Sequence, residues 1–185
     1  MYPIPRLWWQ FFSHRKSPAI SLTDEHVSSH ICWPWDLDIW WELNNGRTLT
    51  LYDLGRLPMA RRAGMIGVLK KNGWGLTVAG STTRYRRRVR AFDRITMRSR
   101  VAGWDERFFY MEQSMWKTNG DCASHVLIRS AFVGKSGIVD PNEVMAAMGH
   151  EGPAMRPAPW IEAWIEAEAQ RPWPPMQETA GAPSA

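Results

Sequence analysis

The stretch that most constrains the fold is residues 33–57, WPWDLDIWWELNNGRTLTLYDLGRL. Asn44-Asn45-Gly46 is a helix-start signal, because an Asn side-chain oxygen accepts hydrogen bonds from the free backbone N–H groups of a first turn. The following segment, Arg47 to Leu57, carries Leu49, Leu51, Tyr52, Leu54 and Leu57, so little of its circumference is polar. A helix of this kind is buried, and the rest of the chain must cover it. Its N-terminus then lies in or near the interior, with unpaired N–H groups and the positive end of its dipole pointing at whatever occupies that space. An anion or a polarised carbonyl suits such an end. Three carboxylates, Asp36, Asp38 and Glu42, stand just upstream of it.

Around this helix the sequence predicts mainly strands. Residues 24–34 lack a helical period and read as a strand, whereas Pro58 is expected to kink or end the central helix. A second short helix, about 65–71, stops at Asn72-Gly73, a C-terminal signal. From Trp74 the character changes to strand: 75–90, then 94–102, 107–117 and 121–134. Asn119-Gly120 joins the last two as a hairpin turn. Strands this long exceed the usual length. Asp140-Pro141-Asn142-Glu143 then opens a short helix that Gly149 closes. A linker with Pro153, Pro157 and Pro159 leads to a helix over 160–170, whose i,i+4 pairs Trp160/Trp164 and Ile161/Ile165 predict a docked face. The fold class is therefore α+β. An aromatic and basic arm (1–20) precedes a main domain (21–150). A docking helix (151–171) and a loose tail (172–185) follow it.

Composition narrows the function only slightly. The 185 residues suit one domain with a real core. Twelve Trp and ten Met fit an apolar cavity, a subunit interface or a plain core equally well. A net charge of +5 hints at an anionic partner. Cys32 and Cys122 form no C-x-x-C pair and read as reduced thiols of a cytoplasmic protein. The apolar run Leu7–Phe12 is too short for a secretory or spanning segment. Together with His14-Arg15-Lys16 it forms an arm, residues 7–16, that either makes weak contact with an anionic membrane surface or packs on its own domain or a second subunit.

Several motifs reduce to their plain readings. His26, His30 and Cys32 share one strand face, but histidines four residues apart on a strand lie about 13 Å from each other, too far for one ion. Gly134-Lys135-Ser136 resembles the end of a phosphate loop, yet Arg129 occupies the position that needs Gly. No G-x-S-x-G elbow is present. The Arg84–Arg90 run lacks interleaved aromatics beyond Tyr85, which disfavours nucleic acid. Asp36 and Asp38 by themselves are as well explained as turn residues bonding their own backbone.

The order Asp36-Leu37-Asp38, three residues, then Glu42-Leu43-Asn44-Asn45 entering a helix resembles the 4-hydroxybenzoyl-CoA thioesterase group of hot-dog-fold acyl-CoA thioesterases. The resemblance continues through LTLYDLGR, through residues 78–113 and into PNEVMAAMG, covering roughly residues 20–165. The family commonly has His where this chain has Glu42, and a small residue where it has Trp41. The resemblance implies a curved antiparallel sheet around a central helix, a homodimer or dimer of dimers, and hydrolysis of acyl-CoA without metal or cofactor, coenzyme A being part of the substrate. It implies Asp38 as catalytic carboxylate, with Glu42 as its partner or substitute. The first turn (Asn45, Gly46, Arg47) would hold the thioester oxygen, Asp53 would be a second carboxylate for the cavity, and Arg84, Arg86 and Arg88, on one strand face, would meet the coenzyme A phosphates. The alternative it leaves open is a non-catalytic hot-dog module that binds acyl-CoA or acts as an assembly scaffold.

Overall fold

The computed structural model describes residues 2–175. In chain order these form α1 (Ile4–Ser13), β1 (His26–Ile31), α2 (Asn45–Arg62), α3 (Met65–Asn72), β2 (Gly75–Tyr85), β3 (Arg94–Trp104), β4 (Phe109–Lys117), β5 (Cys122–Gly134), β6 (Gly137–Val139), α4 (Pro141–Ala147) and α5 (Pro159–Ala169). The strands make one antiparallel sheet in the order β1-β3-β4-β5-β2, with β6 added to the end of β5.

Period-2 alternation gives β3, β4 and β5 one largely apolar face each, and those faces meet α2. Ile95, Met97 and Val101 of β3, Phe109, Met111 and Met115 of β4, and Val126 and Ile128 of β5 form one core cluster with Leu51, Tyr52, Leu54 and Met59 of the helix. This is the expected hot-dog arrangement, a curled sheet on a buried helix. Gly55 sets how closely α2 approaches. A Cβ there would press on the Met97 sulfur and come within 3.1 Å of Ser99 Oγ. At the same level Gln113 Nε2 donates to the Tyr52 carbonyl (2.9 Å) and to Ser99 Oγ (2.8 Å), fixing helix to sheet. On the other face of the sheet, Tyr110 and Leu127 meet Ile161, Trp164 and Ile165, so α5 docks through the predicted i,i+4 stripe. Trp160 stays half-exposed, its ring against His125.

Two expectations need correction. Pro58 does not end the central helix, which runs on to Arg62. Pro58, Met59 and Ala60 are all buried, and that packing offsets the lost backbone bond. The strand expected over 75–90 stops at Tyr85, because Arg86 and Arg87 both donate their N–H to the Ala123 carbonyl and turn the chain off the sheet. Within the N-terminal arm, residues 4–13 are helical, with Pro5 at an early position that needs no N–H donor. The expected tail falls mostly on residues 176–185, outside the described residues. No helix among the described residues is long and apolar enough to cross a membrane.

Candidate active site

Two loops close over the start of α2. One carries residues 33–44, the other residues 86–93. They are zipped together by backbone bonds: Cys32 N–H to the Asp93 carbonyl (3.0 Å), Phe92 N–H to the Cys32 carbonyl (2.6 Å) and Leu43 N–H to the Val89 carbonyl (2.8 Å). Between them lies a cavity of about 220 Å³. Glu42, Asn45, Thr48, Arg86, Arg87, Arg88 and Ser124 supply its polar lining, and Leu43, Tyr85 and Val89 its apolar part. The cavity therefore joins one carboxylate, a helix N-terminus and three guanidinium groups.

The acidic turn divides its two aspartates by environment. Asp36 is fully buried. Its Oδ2 accepts from Arg6 Nη1 (2.7 Å) and Trp33 N–H (3.0 Å), and its Oδ1 from Arg47 Nη2 (2.9 Å) and Nε (3.2 Å). It is the anchor that ties α1 and the first turn of α2 to the loop. Asp38 is half-buried and bonds its own turn: Oδ1 accepts from the N–H of Trp40 (2.8 Å) and, more weakly, of Glu42 (3.4 Å). Asp38 N–H in turn donates to the Glu42 carbonyl (2.8 Å), so this turn presents Glu42. Trp41 sits in it at φ 58°, in the left-handed region that a small residue occupies more cheaply.

Glu42 lines the cavity and pairs with Arg88 (Oε2 to Nε, 2.9 Å), whereas Asp38 is not among the residues lining the cavity of a single chain. Asn44 caps α2 as expected. Its Oδ1 accepts from Gly46 N–H (2.9 Å) and Arg47 N–H (3.2 Å), leaving Asn45 as the first-turn N–H that the cap does not take. Asn45 also lines the cavity, but Gly46 and Arg47 do not, and the Arg47 side chain is committed to Asp36. Asp53 faces elsewhere, ion-paired to Arg56 one turn on. Desolvation raises its pKa, and Arg56 partly opposes that rise.

The basic run is also rearranged. Because the chain leaves the sheet at Arg86, residue parity no longer sorts it: Arg86, Arg87 and Arg88 line the cavity together, and Arg84 does not. Arg87 pairs with Asp121 (3.6 Å). Among the described residues Arg86 makes no ion pair. Thr48 and Ser124 are site residues that the sequence reading passed over. Each is a buried polar residue, which only the fold reveals. Ser124 Oγ is bonded to the Tyr52 hydroxyl (2.9 Å), whose pKa burial raises strongly.

The other clusters are structural in character. His26 meets His14 and Arg62, and His30 bonds Ser28 Oγ (2.8 Å). Among the described residues no three His, Cys, Asp or Glu side chains converge as metal ligands. Cys32 is a buried free thiol, its pKa pushed up to about 11 by burial first and by Asp36 and Asp93 next.

Comparison with known proteins agrees with this architecture. The model of the thioesterase-like superfamily matches residues 32–165, which include the acidic turn, α2 and strands β2 to β6. Protein THEM6 of Xenopus laevis is 34% identical over 136 residues, covering 72% of this chain and 64% of the frog protein. The chain thus spans just under two thirds of that relative's length. Among solved structures, YbaW, a probable thioesterase from Escherichia coli, superposes with a TM-score of 0.63 at 16% identity, covering 66% of this chain and 96% of its own. A DHNA-CoA thioesterase from Staphylococcus aureus gives 0.60 at 11% identity, with 78% and 91% covered. The sheet curled on α2, the capped helix start beside an acidic turn and the matched span together make this chain a member of the thioesterase-like superfamily, with its hot-dog fold.

Proposed function

We propose that the protein hydrolyses acyl-CoA thioesters at the cavity above the start of α2. The observation that carries this reading is the meeting of Glu42, the N-terminal residue Asn45 and the cluster Arg86–Arg88 in one cavity. A thioester needs little leaving-group assistance, because a thiolate leaves readily. One base and one site for the carbonyl oxygen are then sufficient. Glu42 takes the proton of the attacking water, and the Asn45 N–H, at the positive end of the α2 dipole, receives the developing oxyanion. Asp38 ties the turn that presents Glu42. Arg86 and Arg88 meet the phosphates of coenzyme A. No metal or cofactor enters the reaction. The name of the S. aureus neighbour, a DHNA-CoA thioesterase, supports a coenzyme A thioester as substrate. A cavity of about 220 Å³ is small for that substrate, so the reading includes a second copy of the chain that completes the site.

A second reading, an acyl-CoA binder without turnover, is favoured by one observation: Glu42 is already held by Arg88. Release of free thiol from a panel of acyl-CoA esters, read with a thiol-reactive dye, separates the two. Glu42→Gln is expected to lower turnover ~10²–10⁴-fold, the range of a lost general base, with substrate binding kept. Arg86→Ala should raise KM more than it lowers kcat, because phosphate contacts hold substrate and transition state alike. If Asp38→Asn abolishes turnover while Glu42→Gln retains it, the base is Asp38. Binding of acyl-CoA with no thiol release from any ester would establish the binder.

A further inference from the structure

Helix α1 packs Leu7 on the domain core yet is apolar on its outward side as well. Its protein-facing side carries Arg6, bonded to Asp36 and the Ile31 carbonyl, and Gln10, bonded to the Ser29 carbonyl. Its solvent side carries the large apolar groups: Ile4 is 55% exposed, Trp8 68%, Trp9 64% and Phe12 54%. Trp9 stacks on Phe12, making the surface continuous along the helix. Contiguous exposed aromatics of this kind mark a surface that meets something apolar.

The chemistry at the end of the helix identifies what that is. Directly beyond Phe12 lies a pocket of about 220 Å³ lined by His14, Arg15, Ser17, Arg61 and Arg62. Arg15 lies over the Phe12 ring at 3.7 Å and Arg61 over the Phe11 ring at 5.4 Å. Among the described residues none of the three arginines has a carboxylate counter-ion, and residues 1–23 contain no Asp or Glu. Three uncompensated guanidinium groups beside an outward aromatic face match an anion attached to an apolar phase. Trp rings suit the boundary between the two.

We infer that α1 docks the protein on the surface of an anionic phospholipid bilayer, with Trp8, Trp9 and Phe12 among the acyl chains and a lipid phosphate in the Arg15–Arg61–Arg62 pocket. At ten residues the helix is about 15 Å long, so it lies along the surface and does not span it. The opposite side of the helix is fixed by the Asp36 anchor, so the docked surface orients the whole domain. This surface is separate from the catalytic cavity, and its role is independent of any turnover.

Flotation of the full chain with liposomes tests it. Wild type is expected to float with phosphatidylcholine vesicles containing phosphatidylserine, and much less with phosphatidylcholine alone. The pairs Trp8→Ser with Phe12→Ser, and Arg15→Ser with Arg61→Ser, should each weaken binding about tenfold or more while circular dichroism stays native. Trp173→Ser, which removes another exposed Trp (86%), is the control that should bind as wild type does. Failure of wild type to float, or flotation unchanged in both pairs, overturns the inference. So does a Trp8→Ser/Phe12→Ser protein that loses a subunit by light scattering but keeps its vesicle binding, for then the face belongs to a second copy. Release from vesicles by inorganic phosphate at constant ionic strength would make the pocket a free-anion site and overturn the lipid assignment.

Discussion

Asp36 and Asp38 are two residues apart and chemically identical, yet one is a buried ion-pair hub and the other a half-exposed turn residue. Burial and the arginines decide the difference. The same logic gives a pH dependence to the inward histidines of β1. Burial first, then His14 and Arg62, lowers the His26 pKa to about 4. Burial first, then Arg6 and the neighbouring histidines, lowers that of His30 to about 3. Both are neutral in the fold at pH 7, whereas the unfolded chain takes up these protons near pH 6.5. Stability is therefore full above about pH 6.5 and falls as pH drops from there toward 4 for His26 and 3 for His30. The limiting slope is about 1.4 kcal/mol per pH unit for each histidine. The urea midpoint should drop between pH 7 and pH 5, and the double variant His26→Gln/His30→Gln should flatten that drop. A wild-type midpoint level across this interval would contradict the neutral burial of the pair.

At the scale of elements, α2 is held by closeness as much as by hydrophobicity. Gly55 lets the helix backbone approach β3 and β4 until Gln113 reaches the Tyr52 carbonyl. Gly55→Ala raises helix propensity by about 1 kcal/mol. It also forces a methyl group against Met97, with Ser99 Oγ at 3.1 Å and Gln113 Nε2 at 3.3 Å. The overpacking, about 1–3 kcal/mol, together with a displaced Gln113, outweighs the propensity gain. The melting temperature should fall by several degrees. A variant that melts at or above the wild-type temperature would mean the sheet relaxes freely at this point.

For the whole molecule, the two sheet edges are treated differently. The β1 edge is covered, since Arg6 and Gln10 of α1 take the Ile31 and Ser29 carbonyls. Among the described residues β2 pairs only with β5, and its residues Thr77, Val78 and Ala79 are all exposed, Val78 by 51%. An open eleven-residue edge is a template for a second chain. We propose a homodimer joined through β2. Val78→Lys should weaken the dimer about tenfold or more in sedimentation velocity, because it places charge on that edge. If wild type is a monomer on dilution, or if Val78→Lys leaves a dimer intact, the β2 joint is not the assembly.

What the sequence alone determined is what short-range chemistry controls. The Asn44 cap, the apolar body of α2, the Asn119-Gly120 hairpin and the i,i+4 stripe of α5 depend on residues a few positions apart, and each is found where its pattern lies. The order of Asp36, Asp38 and Asn44-Asn45, together with the stretches that continue it toward residue 165, carried the family resemblance. Tertiary structure decided the rest. Whether Pro58 stops a helix depended on how much burial lay beyond it, and which arginines meet the cavity depended on Ala123, a residue of another strand that turns the chain at Arg86. Asp36 became an anchor because Arg6, thirty residues earlier, and Arg47, eleven residues later, both fold onto it. Glu42 reached the cavity wall because the Asp38 turn and the Val89 carbonyl hold its loop. Each of these depends on which distant groups desolvate or pair with a side chain, and no local spacing carries that information.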